Sequence, residues 1–342
     1  MNTKNSDSYG KRGTERTIQQ TDGKRAIINP SSRSRRRLFV ACCLVLAASC
    51  FLFQAPSFTD TTTAQTATDT AADSNLLETG QASQMPATPP PVPAEIKFVS
   101  YNIRWRGGDD LQKLIRFLRE DAEIGKASII GLQEVDRNKK RTNNVNTARV
   151  MADALKMHYA WAAPPPEKPT SEEETGVTIL SPYPLTDVVR IVLPHAGPNG
   201  RHRAAIGATV QLGTERVRFY SVHAETRMPV AKKVDQWGAP LKDFAKYPDV
   251  KRAVVVGDFN TVKGKENRET RRIFTEAGFT TPIPHGRSTF QRYFFVRFKL
   301  DWVWLRGFET TGHGIYHGIS VSDHWPLWVN VKMTPLNAEA GN

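Results

Sequence analysis

From Ile96 onward, apolar and polar positions repeat in ways that predict strands alternating with helices. IKFVSYNI (96–103) reads as a strand, DLQKLIRFLRED (110–121) as an amphipathic helix, ASIIGLQEV (127–135) as a buried strand and NTARVMADALKM (146–157) as a second helix. Strand-like runs follow at 175–185, 186–194, 202–212 and 216–225, separated by Pro- or Gly-containing stretches. A helical stretch over 229–247 leads into the buried strand RAVVVGDFN (252–260), then a helix near 266–277. KLDWVWLRG (299–307) and HWPLWVNVKM (324–333) read as the closing strands. Hairpin-spaced strands mixed with helix-separated ones fit two sheets packed face to face with helices outside. No repeat of fixed period is visible.

Upstream the pattern changes twice. Residues 38–53, LFVACCLVLAASCFLF, are apolar all round, and Arg33, Arg35, Arg36 and Arg37 stand directly before them. The run is short for a membrane span, at roughly 24 Å of helix against a hydrocarbon core of about 30 Å. The next basic residue is Lys97, so the positive-inside rule puts residues 1–37 in the cytoplasm and exports the rest, to the periplasm or the cell exterior. A long polar leader, Pro56 right after the small-residue site at Ala55, and the greasy Phe51–Phe53 favour a retained signal anchor over a cleaved peptide or an acylated Cys50. Residues 54–94, rich in Thr, Ala and Pro, read as a disordered linker stiffened at PATPPPVPA. The expected divisions are thus a basic disordered tail (1–37), a transmembrane anchor (38–53), the linker (54–94), one domain over 95–333 and a tail from 334 to 342.

Charge follows the same blocks. The 342 residues carry a net +13, with +7 in residues 1–37, −4 in 38–94 and +10 in the remainder. All three cysteines, Cys42, Cys43 and Cys50, lie in the apolar run, so the domain can hold neither a disulfide nor a thiolate metal site. A metal there must take oxygen and imidazole ligands, which suits magnesium, manganese or calcium.

Candidate chemistry sits where polar residues end or interrupt apolar strands: Asn102, Glu134, His223, Asp258, Asn260, Asp301, Asp323 and His324. A carboxylate at the end of a buried strand is costly unless its charge is compensated, and several such ends meeting would make a cation site. Residues two apart on an extended chain share a face, so Asp258 and Asn260 are expected to point together while Phe259 enters the core. His313 and His317 have a ligand spacing only on a helix, and the surrounding glycines predict a loop. GISVS (318–322) lacks the final glycine of a nucleophile elbow, and no phosphate-binding P-loop occurs.

The strings VSYNIRW, GLQEVDR, GVTILSPYPL, YSVHAE, VVVGDFNT, STF, LDWVWLRG and SDHWPL, in this order from Lys97 to Val331, resemble the signature blocks of the endonuclease/exonuclease/phosphatase superfamily. The resemblance implies an α/β fold, a four-layer α/β/β/α sandwich with the site at one end of both sheets. It implies that Glu134 is the principal magnesium ligand with Asn102 beside it, and that Asp258 contributes to the metal site and orients or deprotonates the attacking water. Asn260 would hydrogen-bond the phosphate. His324 would be oriented by Asp323, and His223 would pair with Asp301. The base is shared between Asp258 and His324.

These readings converge on a membrane-tethered, exported, metal-dependent phosphoesterase acting by direct water attack on nucleic acid or on a lipid or soluble phosphoester, with no protein partner expected. The basic domain allows a nucleic acid, and lipid headgroups or soluble phosphoesters fit an exported, tethered enzyme at least as well. Against a nucleic acid stand four acids in residues 162–176 and the lack of any recognised aromatic run for stacking single strands. The alternative, a catalytically silent tethered scaffold, requires a lost site position, and all eight are of the expected type.

Overall fold

The computed structural model describes residues 75–166, 174–293 and 295–334. In chain order its elements are β1 (Leu77–Gln81), β2 (Ile96–Asn102), α1 (Gly108–Glu120), β3 (Ile129–Arg137), α2 (Thr147–Leu155), β4 (His158–Ala162), β5 (Glu174–Ser181), β6 (Leu185–Val192), β7 (Ala204–Leu212), β8 (Glu215–His223), α3 (Val230–Phe244), β9 (Arg252–Asp258), α4 (Gly264–Glu276), β10 (Phe290–Arg292), β11 (Val296–Phe298), β12 (Asp301–Arg306), β13 (Phe308–Ile315) and β14 (Leu327–Met333). The strands form a seven-stranded sheet in the order β1-β4-β5-β3-β2-β14-β13, a five-stranded sheet in the order β12-β9-β8-β7-β6, and the separate ribbon β10–β11.

Each large sheet has one parallel pair, β2 with β3 and β8 with β9, and all its other pairings are antiparallel. Parallel neighbours need a crossover, and α1 and α3 supply the two crossovers. The helices bury their apolar stripes outward of the sheets: Leu111, Leu114, Ile115 and Leu118 of α1 pack on the larger sheet, and Trp237 and Phe244 of α3 on the smaller. Between the sheets lies a third core that includes Phe98 and Phe219, whose rings meet at 5.8 Å. Such a tilted pair contributes about 0.5–1.5 kcal/mol beyond its buried area. The sheets come so close at β3 that a Cβ on Gly131 would lie 2.4 Å from Val256 Cγ2. The layers are therefore helix, sheet, sheet, helix, as expected.

Several expectations change. Leu77–Gln81, assigned to the disordered linker, is an edge strand, each residue in register with β4. Its composition is polar, but Glu78 meets Arg137 at 3.0 Å and Arg149 at 2.6 Å, which holds the strand by charge and backbone pairing rather than by core burial. Val92 further along packs against the inter-sheet core. The strands β4, β13 and the ribbon escaped the pattern reading, the first and last because they are short, β13 because a register shift at Thr310/Gly312 breaks its alternation. The last strand begins at Leu327, so Asp323 and His324 lie in the loop before it. Among the described residues no helix is long and apolar enough to cross a membrane. The expected basic tail and anchor lie outside the described residues, as does the C-terminal tail beyond Thr334.

Candidate active site

Open sheets place their binding crevices at the carboxyl ends of parallel strands, where the backbone pairing stops and side chains can converge. Here both parallel pairs end against each other. Asn102 closes β2, His223 closes β8 and Asp258 closes β9; His223 is in register with Asp258, and Asp301, first in β12, faces Asp258 from the other side. Glu134 reaches the same place differently. The β3–β5 ladder shifts register between Gln133 and Val135, and Glu134 has φ 57°, a bulge that turns its side chain out of the sheet. The strand continues to Arg137, so Glu134 interrupts β3 rather than ending it.

The Asn102 amide donates to Glu134 Oε1 at 3.2 Å and to Asp258 Oδ2 at 3.1 Å, joining the two sheets. His223 Nε2 lies 3.8 Å from Glu134 Oε1 and 3.7 Å from Asp258 Oδ2. His324 Nε2 lies 3.8 Å from the same Asp258 oxygen. The GDFN turn is a tight one. Gly257 has φ 142°, and a Cβ there would lie 2.0 Å from Val222 O. Asn260 has φ 52°, and its N–H donates to Asp258 Oδ1 at 2.9 Å. Asp258 and Asn260 therefore share the cleft through an Asx-type turn and not through extended alternation, while Phe259 is fully buried as expected.

The histidine pairing differs from the sequence expectation. His324 Nδ1 is 2.9 Å from Asp301 Oδ2, and Asp323 instead forms an ion pair with Arg104 at 3.2 Å. Adjacent residues in a loop point apart, and Asp301 arrives from the neighbouring strand with the right orientation. Thr289 fixes that carboxylate: its hydroxyl donates to Asp301 Oδ2 at 2.6 Å and accepts the N–H groups of Leu300 and Asp301. His223 has no aspartate of its own and faces Glu134 and Asp258.

The cleft above these groups encloses about 460 Å³, with Trp105, Arg203, Phe290 and Arg292 on its walls. Arg203 lies beside His223 with its Nε on Glu225 at 3.0 Å. Electrostatics divides the ionisable groups. Burial, then the charges of Arg203 and Arg201, hold His223 well below its ordinary value, so it is neutral. Burial alone would lower His324, but the carboxylates of Asp301 and Asp258 outweigh it and raise it to about 10. Burial lifts Asp258 to about 7, against the pull of His324 and with Asp301 adding repulsion.

Two buried or half-buried carboxylates, Glu134 and Asp258, meet with no lysine or arginine ion pair to either among the described residues. That donor set, all oxygen and imidazole, fits a hard divalent cation. Asp258, Asp301 and His324 also lie close enough to share an ion. Asp301 already accepts from His324 and Thr289.

Sequence reasoning missed the supports. Ser322 Oγ donates to Asn102 O at 2.8 Å and accepts the His324 N–H at 3.2 Å. Lys233 Nζ donates to Asn260 O at 2.8 Å and pairs with Glu266 at 3.1 Å, and Trp237 Nε1 donates to Phe259 O at 2.8 Å. Of these only Ser322 lay in a string the sequence singles out, SDHWPL, as Thr289 lies in STF. His313 lies within β13 opposite Val329 and His317 beyond the strand's end, away from a shared ligand geometry. Of the acids in 162–176, Glu174 is buried against Arg137 at 2.9 Å, and Glu167, Glu172 and Glu173 fall outside the described residues.

Comparison with known proteins bears on this arrangement. The family model described as "Endonuclease/Exonuclease/phosphatase family" matches residues 99–324. Among solved structures, an endonuclease/exonuclease/phosphatase family protein from Leptotrichia buccalis is similar with TM-score 0.54 at 14% identity, over 70% of this chain and 100% of that one. The human Nocturnin catalytic domain, with bound sulfate, gives 0.55 at 15% identity over 70% and 94%. D. rerio TDP2, complexed with a single-strand DNA product, gives 0.54 at 13% identity over 70% and 100%. No curated protein sequence matches the chain. Members of the matched family are usually hydrolases of phosphoesters that use divalent metals. With the family model running from β2 to His324 and taking in every residue that builds the cleft, the chain belongs to the endonuclease/exonuclease/phosphatase family.

Proposed function

We propose that this protein is a magnesium-dependent phosphodiesterase, anchored through residues 38–53 with its catalytic domain exported, that hydrolyses P–O bonds by in-line water attack. The observation that carries the reading is the meeting of Asn102, Glu134, His223, Asp258, Asn260, Asp301 and His324 at one cleft, from six separate stretches of chain. The run of arginines before the apolar segment supports the anchor and its orientation.

Glu134 and Asn102, with Asp258, would hold the metal, which when bound supplies Lewis-acid stabilisation of the charge that develops on the phosphoryl group. The chain's own residues do the rest. Asp258, poised at about 7, takes a proton from the attacking water as the new P–O bond forms. His324, held cationic, faces the same point and donates to the phosphoryl or leaving oxygen as the old P–O bond breaks. On this reading Asp258 is the base and His324 the acid. His223, neutral and buried, orients the two carboxylates and adds no positive charge to the cleft. Asn260 keeps one Nδ2 hydrogen on Ala224 O at 2.9 Å and turns the other toward the substrate phosphate.

The test is hydrolysis of bis-p-nitrophenyl phosphate with and without magnesium by wild type, Glu134→Ala and His324→Ala. Activity in wild type that needs the metal, and falls by at least about a hundredfold in each variant, supports the reading. Equal rates in all three would return the silent-scaffold alternative.

A further inference from the structure

The β10–β11 ribbon has two chemically different faces. Phe290 pairs with Phe298, and these two with Arg292 wall the catalytic cleft, where Phe290 bridges to His324. Gln291 pairs with Arg297 on the opposite face, as strand alternation requires. There, with Arg287, His317 and Trp325, they line a second hollow of about 420 Å³. No carboxylate lines it. Neither Arg287 nor Arg297 has an ion pair or hydrogen bond among the described residues. Both face His317: burial first, then their two positive charges, hold that imidazole below its ordinary value, and it packs edge-on to Trp325 at 4.1 Å. Guanidinium groups that converge without acidic partners present the fork geometry that phosphate oxygens fill.

Between the hollow and the cleft, the ribbon's tip holds Tyr293 at 66% exposure and Phe295 at 82%. These are by far the most exposed large apolar side chains among the described residues, and Arg292 lies over the Tyr293 ring at 5.1 Å. Exposed aromatic rings flanked by arginines on both sides of a ribbon form a stacking platform bounded by phosphate contacts. A bilayer contact would use the same rings, but Arg287 and Arg297, both exposed, line a hollow on the face of the ribbon opposite the cleft, and a flexible strand follows two faces of a ribbon where a plane meets one.

Resting on the catalytic reading above, we propose that the hollow is a second phosphate subsite and the ribbon tip a base-stacking platform, so that the substrate is single-stranded nucleic acid crossing the ribbon from the cleft to Arg287 and Arg297.

Full-length protein, Arg287→Ala/Arg297→Ala and Tyr293→Ala/Phe295→Ala are titrated with a fluorescent twelve-nucleotide oligothymidylate in EDTA, where no hydrolysis intervenes. They are then assayed with magnesium on that oligonucleotide, on bis-p-nitrophenyl phosphate and on sphingomyelin vesicles. The expected result is binding weakened about tenfold or more in both double variants, with the log–log salt slope reduced by about 0.7 per lost phosphate contact in the arginine variant alone. Turnover of the oligonucleotide should fall through KM, while bis-p-nitrophenyl phosphate, with its single phosphate, is cleaved at the wild-type rate. Wild-type oligonucleotide affinity in both variants overturns the proposal, as does an equal loss on both soluble substrates. Intact oligonucleotide binding with lost vesicle turnover overturns it in favour of a bilayer contact. If wild type leaves bis-p-nitrophenyl phosphate untouched, the catalytic reading fails and the titration still decides the subsite.

Discussion

Asp258 stands between two imidazoles in opposite protonation states: burial with the charges of Arg203 and Arg201 keeps His223 neutral, whereas the carboxylates of Asp301 and Asp258 keep His324 cationic. Only His324 has a carboxylate, Asp301, on its far nitrogen. The choice of Asp301 over Asp323 follows from backbone direction: Asp301 opens a strand aimed at the site, whereas Asp323 turns outward to Arg104. Asp301→Asn keeps the shape and removes the charge that does most to raise His324. In the proposed mechanism His324 acts protonated, so activity should fall as pH rises through its value of about 10, and without Asp301 that alkaline limb should move to lower pH. We expect kcat to drop by about 10²–10⁴ at pH 8 and the limb to shift toward neutrality, checked by pH–rate profiles on bis-p-nitrophenyl phosphate. An unmoved limb would mean that His324 does not act as the acid. A second expectation concerns Glu134. Glu134→Gln preserves the Asn102 contact but halves the local anionic charge, so calorimetric magnesium affinity should weaken by at least about tenfold with little loss of stability.

Helix α3 does more than cross over the smaller sheet. Lys233, Gln236 and Trp237 share one face, and each grips a different part of the site's frame: Asn260 O, Glu225 N and Phe259 O. The helix was legible from its apolar repeat. Its polar grips were not, because a buried lysine in a helix reads as a solvated one until its partner from α4, Glu266, is known. Lys233→Met should cost about 3–5 kcal/mol, since Glu266 is left charged, buried and unpaired. The double variant Lys233→Met/Glu266→Leu removes both charges and should recover most of that loss, yet its Asn260 carbonyl stays unheld. Urea unfolding should therefore separate the single from the double variant, while kcat stays low in both with KM for bis-p-nitrophenyl phosphate unchanged. Recovery of kcat along with stability would reduce Lys233 to a structural role.

At the scale of the molecule, the two sheets were legible because their central strands are long, apolar and ended by polar residues. The residues of the candidate site were legible because polar side chains interrupt or end those apolar strands. What escaped reading was held by tertiary contacts: the pairing of His324, the Glu134 bulge, the ribbon whose tip, with exposed Tyr293 and Phe295, gives no periodic signal, and the domain's beginning. The sequence places that beginning at Glu95, but β1 extends the larger sheet upstream. Its anchor is Glu78. Burial pushes this carboxyl up, but the Tyr159 hydroxyl and the guanidinium groups of Arg137 and Arg149 bring it down from 4.5 to about 2. A carboxylate depressed in the folded state adds stability that is fully present above its unfolded value and lost as pH falls through its folded one. Glu78→Gln should therefore be less stable than wild type at pH 7, and the gap should close between about pH 4.5 and 2, as urea midpoints at pH 7 and pH 3 would show. Chain beginning at Asn75 should keep this term, while chain beginning at Glu95 loses it and bares the edge of β4 to pairing with other molecules. Light scattering on warming should then rise earlier for the shorter fragment; identical onset in the two would place β1 outside the cooperative unit.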